Sequence, residues 1–231
     1  MDFDFTTIAY TASVWILPVL LAVTLHEAAH GWVAWKLGDD TAYNLGRVTF
    51  NPIKHIDPFG TILLPALLLV GSGGSLMFGF AKPVPVQFGA LRNPRRDMVL
   101  VALAGPVSNI LIAIVATALL HATVLLDGDV RNWVTINLLN AVLINLLLCV
   151  FNMIPLPPLD GGRVAVGILP GPLAIKFARL ERFGFIILLG ALFLLPYIGE
   201  KINLDLNIFS WLVAAPTEYL RMLLLTLFGL I

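Results

Sequence analysis

Apolar side chains run along this chain in long blocks rather than in the narrow stripes of a soluble amphipathic fold. The blocks predict helices at about 8–37, 59–78, 95–126, 132–154, 181–199 and 206–230, with a shorter helix starting near residue 161. Each long block approaches or exceeds the roughly 20 residues that span a bilayer. The first holds about 30 residues, or roughly 45 Å of helix at 1.5 Å per residue. That exceeds the ~30 Å hydrocarbon core, so the helix is expected to tilt, kink at Pro18 or protrude. The second block is interrupted by Pro65 and ends in Gly71-Ser72-Gly73-Gly74, a pattern that suits a re-entrant segment. The expected fold is an all-α polytopic membrane protein with about six transmembrane or re-entrant helices, residues 1–231 forming one integral-membrane domain.

Composition agrees with the pattern. Hydrophobic residues make up 59% of the 231 and charged residues 12%, against about 25% charged in a soluble domain. Mean hydropathy is +0.93. These values exclude an ordinary soluble enzyme and a disordered chain. The formal net charge is zero, so nucleic acid is not an expected partner. The single cysteine, Cys149, lies in an apolar run and reads as a buried hydrophobe.

Charge placement predicts orientation. Lys36, Arg47, Lys54, Lys82, Arg92, Arg95, Arg96, Arg163, Lys176, Arg179 and Arg182 fall in three connecting stretches. The opposite ends hold Arg131 and Lys201 beside Asp2, Asp4, Asp127, Asp129, Glu200 and Asp205. The positive-inside rule then puts the N-terminus outside and the three basic stretches in the cytoplasm. It also requires the 59–81 segment to enter and leave on one side. The expected location is a cell membrane, multi-pass, of the prokaryotic inner-membrane kind.

Ionisable groups inside an apolar helix are costly and point to function. The first block carries His26-Glu27-Ala28-Ala29-His30. Residues i and i+4 share a helix face, so both imidazoles can meet one metal ion. Glu27 can then reach a water on that metal, which is the arrangement zinc hydrolases with HExxH use. A catalytic zinc usually takes a third protein ligand. The best candidate is Asp160, which follows Asn152-Met-Ile-Pro155-Leu-Pro157-Pro158-Leu159 and precedes Gly161-Gly162. The prolines end the preceding helix and the glycines allow a tight turn into the next. Both motifs fall at the cytoplasmic ends of their helices, so their depths agree. The competing use of Asp160 is a helix N-cap. A His₂Asp donor set favours zinc, one ion per chain.

These residues resemble the site-2 protease family of intramembrane zinc metalloproteases, in a minimal core form without a PDZ or CBS domain. His26 to His30 matches the family's metal and base motif, and Asn152 to Gly161 is similar to the motif that supplies the third ligand. Ala104-Gly105-Pro106-Val107-Ser108-Asn109 resembles the central-helix motif. The stretch Phe78-Gly79-Phe80-Ala81-Lys82-Pro83-Val84-Pro85-Val86 resembles a small membrane-associated β-hairpin that offers an edge to substrate. The resemblance implies a transmembrane protein substrate within the lipid bilayer, cleaved by regulated intramembrane proteolysis. In that reading Glu27 is the general base. Asn109 donates to an oxyanion or packs helices together. Asn152 bonds substrate backbone or caps carbonyls freed by the prolines. Gly79 and Phe80 belong to the substrate edge. Two rivals use the same His/Asp cluster: a divalent-metal transporter, and a binder of membrane segments that does not cut. A prenyl-protein protease fits the Asp160 context less well. His55 reads as a loop histidine bonded to Asp57 or as a group at the site entrance, and His121 as interfacial. The five tryptophans read as packing or interfacial anchors.

Overall fold

The computed structural model describes residues 5–64, 67, 79 and 81–231, and among these every regular element is helical. Helix α1 runs Phe5–Lys36 with Pro18 inside it. Helix α2 spans Pro94–Leu120. Proline at its first position needs no N–H partner, and the Asp97 carboxylate accepts the Asn93 N–H at 2.8 Å, which closes the start. Helix α3 covers Gly128–Asn152 and stops ahead of Pro155, Pro157 and Pro158. Helices α4 (Asp160–Ile168) and α5 (Gly171–Ala178) are short. Helix α6 (Glu181–Leu189) continues through a wider turn, Gly190–Leu194, into Leu195–Ile202. It ends at Asn203, whose φ of 55° is the left-handed cap conformation. Helix α7 spans Ala215–Leu227.

Among the described residues, four helical stretches are long and apolar enough to cross a membrane: Ala9–Lys36, Pro94–Leu125, Gly128–Asn152 and Glu181–Ile202. The block at 206–230 is helical from Ile208 but is not among them, and Pro216, Thr217, Glu218 and Arg221 interrupt its apolar run. Of the block at 59–78, a helical turn at Pro58–Leu63 is described, held by Asp57, which accepts the N–H groups of Phe59 and Gly60. Pro65, the Gly71–Gly74 run and Phe80 lie outside the described residues, as does most of the expected re-entrant segment and the start of the expected hairpin. Residue 79 and residues 81–87 form no strand.

The core is a three-helix body. Helices α1, α2 and α3 pack against one another, α4 lies on α2, and α7 lies on α3. Small residues make the close approach possible: Ala22 of α1, Ala113 and Ala116 of α2 and Val142 of α3 are buried. Outward faces carry Leu21, Leu111, Val115 and Ile186, all exposed, as a lipid-facing surface requires. A second cluster, Ala34, Leu91 and Val101 with Val86 and Phe88, fastens the 81–91 stretch to the C-terminal end of α1.

Candidate metal centre

Helical spacing and two loop glycines bring the predicted donors together. His26 and His30 lie one turn apart on the buried face of α1, with Nε2 atoms 3.1 Å apart. Asp160 reaches them from α4. Its Oδ2 lies 3.2 Å from His26 Nε2 and 3.3 Å from His30 Nε2. Asp160 stands there because α4 starts hard against the proline loop. A Cβ on Gly161 would collide with the Met153 carbonyl, and one on Gly162 with the Pro157 backbone. The N-cap is Leu159, so the Asp160 carboxylate is not spent on capping.

The donor set fits a metal ion. Donors about 2.0–2.1 Å from a tetrahedral zinc stand roughly 3.3 Å apart, which matches the 3.1–3.3 Å edges here. Among the described residues, the buried Asp160 Oδ2 has no hydrogen-bond partner and only the two imidazole nitrogens beside it. The space beside the donors is kept open by Gly105 of α2. A Cβ there would overlap His30 Nε2 and sit 2.5–2.6 Å from the His26 ring.

Helix α2 supplies the support. Val101, Gly105 and Asn109 recur every fourth residue on one face and meet the two imidazoles in reverse order, so α1 and α2 run antiparallel. His30 Nδ1–H donates to the Val101 carbonyl at 2.7 Å. His26 Nδ1–H donates to Asn109 Oδ1 at 2.6 Å. Both bonds leave Nε2 as the ligand atom, the usual arrangement behind metal-bound histidine. Asn109 is fully buried, and its amide also donates to Asn145 Oδ1 (2.7 Å) and to the Ala22 carbonyl (3.3 Å). The two N–H groups expected to serve an oxyanion are thus engaged. The supporting roles of Val101, Gly105 and Asn145 were not anticipated. The i, i+4, i+8 spacing on α2 is the sequence signal for the first two.

Glu27 is half-buried, and its Oε2 accepts the Val84 N–H at 2.7 Å. This ties the 81–87 stretch to the site. Further bonds hold that stretch: Gln87 N–H to Asp39 Oδ2 (2.6 Å), Arg47 to the Lys82 carbonyl (2.8 Å), and Lys82 N–H to the His55 carbonyl (3.0 Å). Gly79 is exposed. Asn152 donates to the Leu148 carbonyl one turn back, at 3.0 Å. His55 is buried and donates to the Thr49 carbonyl rather than to Asp57, whose carboxylate caps the next turn. Burial holds its pKa below the ordinary histidine value and the nearby Arg47 charge adds to this, against the opposing Thr49 bond and Glu27. His121 is exposed and donates to the Phe228 carbonyl. Cys149 is buried and is not part of the cluster.

The chain is similar to several known proteins. The profile of peptidase family M50, the site-2 protease family, matches residues 14–127, which include His26, Glu27 and His30. "Putative zinc metalloprotease YwhC" of Bacillus subtilis is 40% identical over 78% of this chain and 80% of its own length. The chain belongs to peptidase family M50. "Putative zinc metalloprotease Rip2" of Mycobacterium tuberculosis is 31% identical over 77% of this chain and 65% of its own length. No solved structure matches the chain. Membership of M50 makes this a metallopeptidase of the site-2 type, and the His26, His30 and Asp160 cluster fits its zinc.

Proposed function

We propose that residues 1–231 form one integral-membrane domain that hydrolyses peptide bonds in or near transmembrane segments of other membrane proteins, by regulated intramembrane proteolysis. The observation that carries this reading is the triangle of His26, His30 and Asp160, facing the gap left by Gly105, next to Glu27 on an apolar helix. The basic stretches support an N-terminus outside and a site toward the cytoplasm, in the multi-pass prokaryotic membrane of this reading.

His26 and His30 of α1 and Asp160 of α4 would hold the metal. When bound there, zinc supplies Lewis acidity that makes water acidic near neutral pH and polarises the scissile carbonyl. Glu27 takes the proton from the attacking water and delivers it to the leaving amine. Asn109 works from behind His26 by orienting the ring, since its amide hydrogens are already used. Asn152 closes the last turn of α3 beside the prolines. A helical substrate hides its peptide bonds, so it must unwind before attack. An extended segment then pairs along the 79–87 stretch, which is irregular backbone where it is described. Pro83 and Pro85 lack donors and the Lys82, Val84 and Gln87 N–H groups are already bonded, so carbonyls carry more of the pairing.

The test is Glu27→Gln in proteoliposomes with a panel of single-span membrane proteins. Cleavage should fall by roughly 10²–10⁴-fold while zinc content holds. Wild-type cleavage would remove Glu27 as the base. Cleavage confined to soluble peptides would remove the intramembrane reading.

A further inference from the structure

Asn145 lies on α3, away from every motif read above, and is fully buried. We propose that Asn145 is a positioning residue of the metal centre: through Asn109, it fixes the ring nitrogen that His26 offers to the ion. The proposal rests on His26 being a ligand, as argued under the proposed function.

The direction of each hydrogen bond is fixed by the one before it. A carboxamide has nearly the same shape in both orientations, so its direction is set by what it meets. The Ala141 carbonyl can only accept. Asn145 Nδ2 donates to it at 2.8 Å, which turns Asn145 Oδ1 toward α2. That oxygen can also only accept, so Asn109 must present its Nδ2, and does so at 2.7 Å. The Ala22 carbonyl, 3.3 Å away, takes the second amide hydrogen. Asn109 Oδ1 is then left facing His26 Nδ1 at 2.6 Å, and it must receive a proton. His26 is thereby held with its hydrogen on Nδ1 and its lone pair on Nε2, the atom 3.2 Å from Asp160 Oδ2.

If Asn109 were turned over, its oxygen would oppose both Asn145 Oδ1 and the Ala22 carbonyl. Without Asn145 only the longer Ala22 bond resists that reversal. A reversed amide would aim N–H at His26 Nδ1 and push its proton to Nε2, where it blocks ligation. His30 needs no such chain, because the Val101 carbonyl fixes its ring in one step. His30 is therefore the internal control.

The experiment compares wild type, Asn145→Leu and Asn145→Asp in detergent, with two readouts. Zinc affinity is measured by competition with a chromophoric chelator. The tautomer is measured on zinc-free protein by nitrogen-15 NMR of the four histidines. Loss of an outer partner of this kind costs about 10–100-fold in metal affinity. Asn145→Leu is expected to weaken zinc by that factor and to shift His26 toward the Nε2–H form, with His30 unchanged. Asn145→Asp, kept neutral by its burial, donates its O–H to the Ala141 carbonyl and keeps an acceptor for Asn109, so it should stay within about threefold of wild type. If the Leu variant does not fold, Asn145→Ala takes its place with the same expectation. Unchanged affinity and tautomer in the Leu variant overturn the proposal, and so does equal loss in the Leu and Asp variants. Zinc that wild type binds equally well after His26→Ala overturns the ligand reading itself, whatever Asn145 does.

Discussion

Two sides of α1 meet at residues 26–30, and they are built differently. On the side of α2, α3 and α4, the imidazoles and Asp160 are buried, and the imidazoles are locked by bonds that end on backbone carbonyls. On the side of the 81–87 stretch, irregular backbone is held by side chains one bond at a time: Glu27 at Val84, Asp39 at Gln87 and Arg47 at Lys82. The first side keeps three donors at fixed separations, as metal binding demands. The second ties the general base to the segment proposed to receive substrate. The comparison teaches that metal affinity and substrate handling rest on separate sets of contacts, so different substitutions should separate them.

The largest effect is expected on the helical side. Asp160→Ala removes a donor outright, and zinc affinity should fall by more than the roughly 100-fold typical of losing an outer partner. Chelator competition measures it, and near-normal affinity would break the triangle. Gly105→Ala comes next. Its Cβ would stand 2.5–2.6 Å from the His26 ring, so zinc affinity should drop by roughly 10-fold or more, in the range of a displaced support. A variant that binds zinc normally would show that Gly105 does not keep the space open. The smallest effect should come from the other side. Asp39→Ala leaves the Thr41 and Gln87 N–H groups without their carboxylate. A destabilisation of about 1–3 kcal/mol is expected from thermal unfolding, with zinc affinity unchanged. A matching loss of zinc would merge the two sides into one.

How much of this was legible in the sequence follows the range of the interactions. The HEAAH pair needs only the helical repeat, and Asp160 needs only prolines that stop one helix and glycines that let another begin close by. The structure brings those three residues together as the local rules imply. Asn145 was not legible, because α3 also carries Asn137 and Asn140 and nothing local separates them. Only the packing of α3 on α2 selects the one that meets Asn109. Asn109 was singled out, yet its bonding direction depends on carbonyls of Ala22 and, through Asn145, of Ala141 on two other helices. The pairing of His55 with Asp57 failed for a local reason: the Asp57 carboxylate is taken by the turn that follows it. The block at 206–230 was legible as helix, and Glu218 and Arg221 within it set it apart from the four stretches apolar enough to cross a membrane.

The central claim is that one zinc is held by His26, His30 and Asp160. X-ray absorption at the zinc edge, on zinc-loaded Glu27→Gln protein, tests it most directly. The account predicts two imidazoles and oxygen donors at about 2.0–2.2 Å, and no sulfur. A sulfur shell near 2.3 Å, which among thiols only the single cysteine Cys149 could supply, would contradict it. A shell without imidazole would contradict it equally.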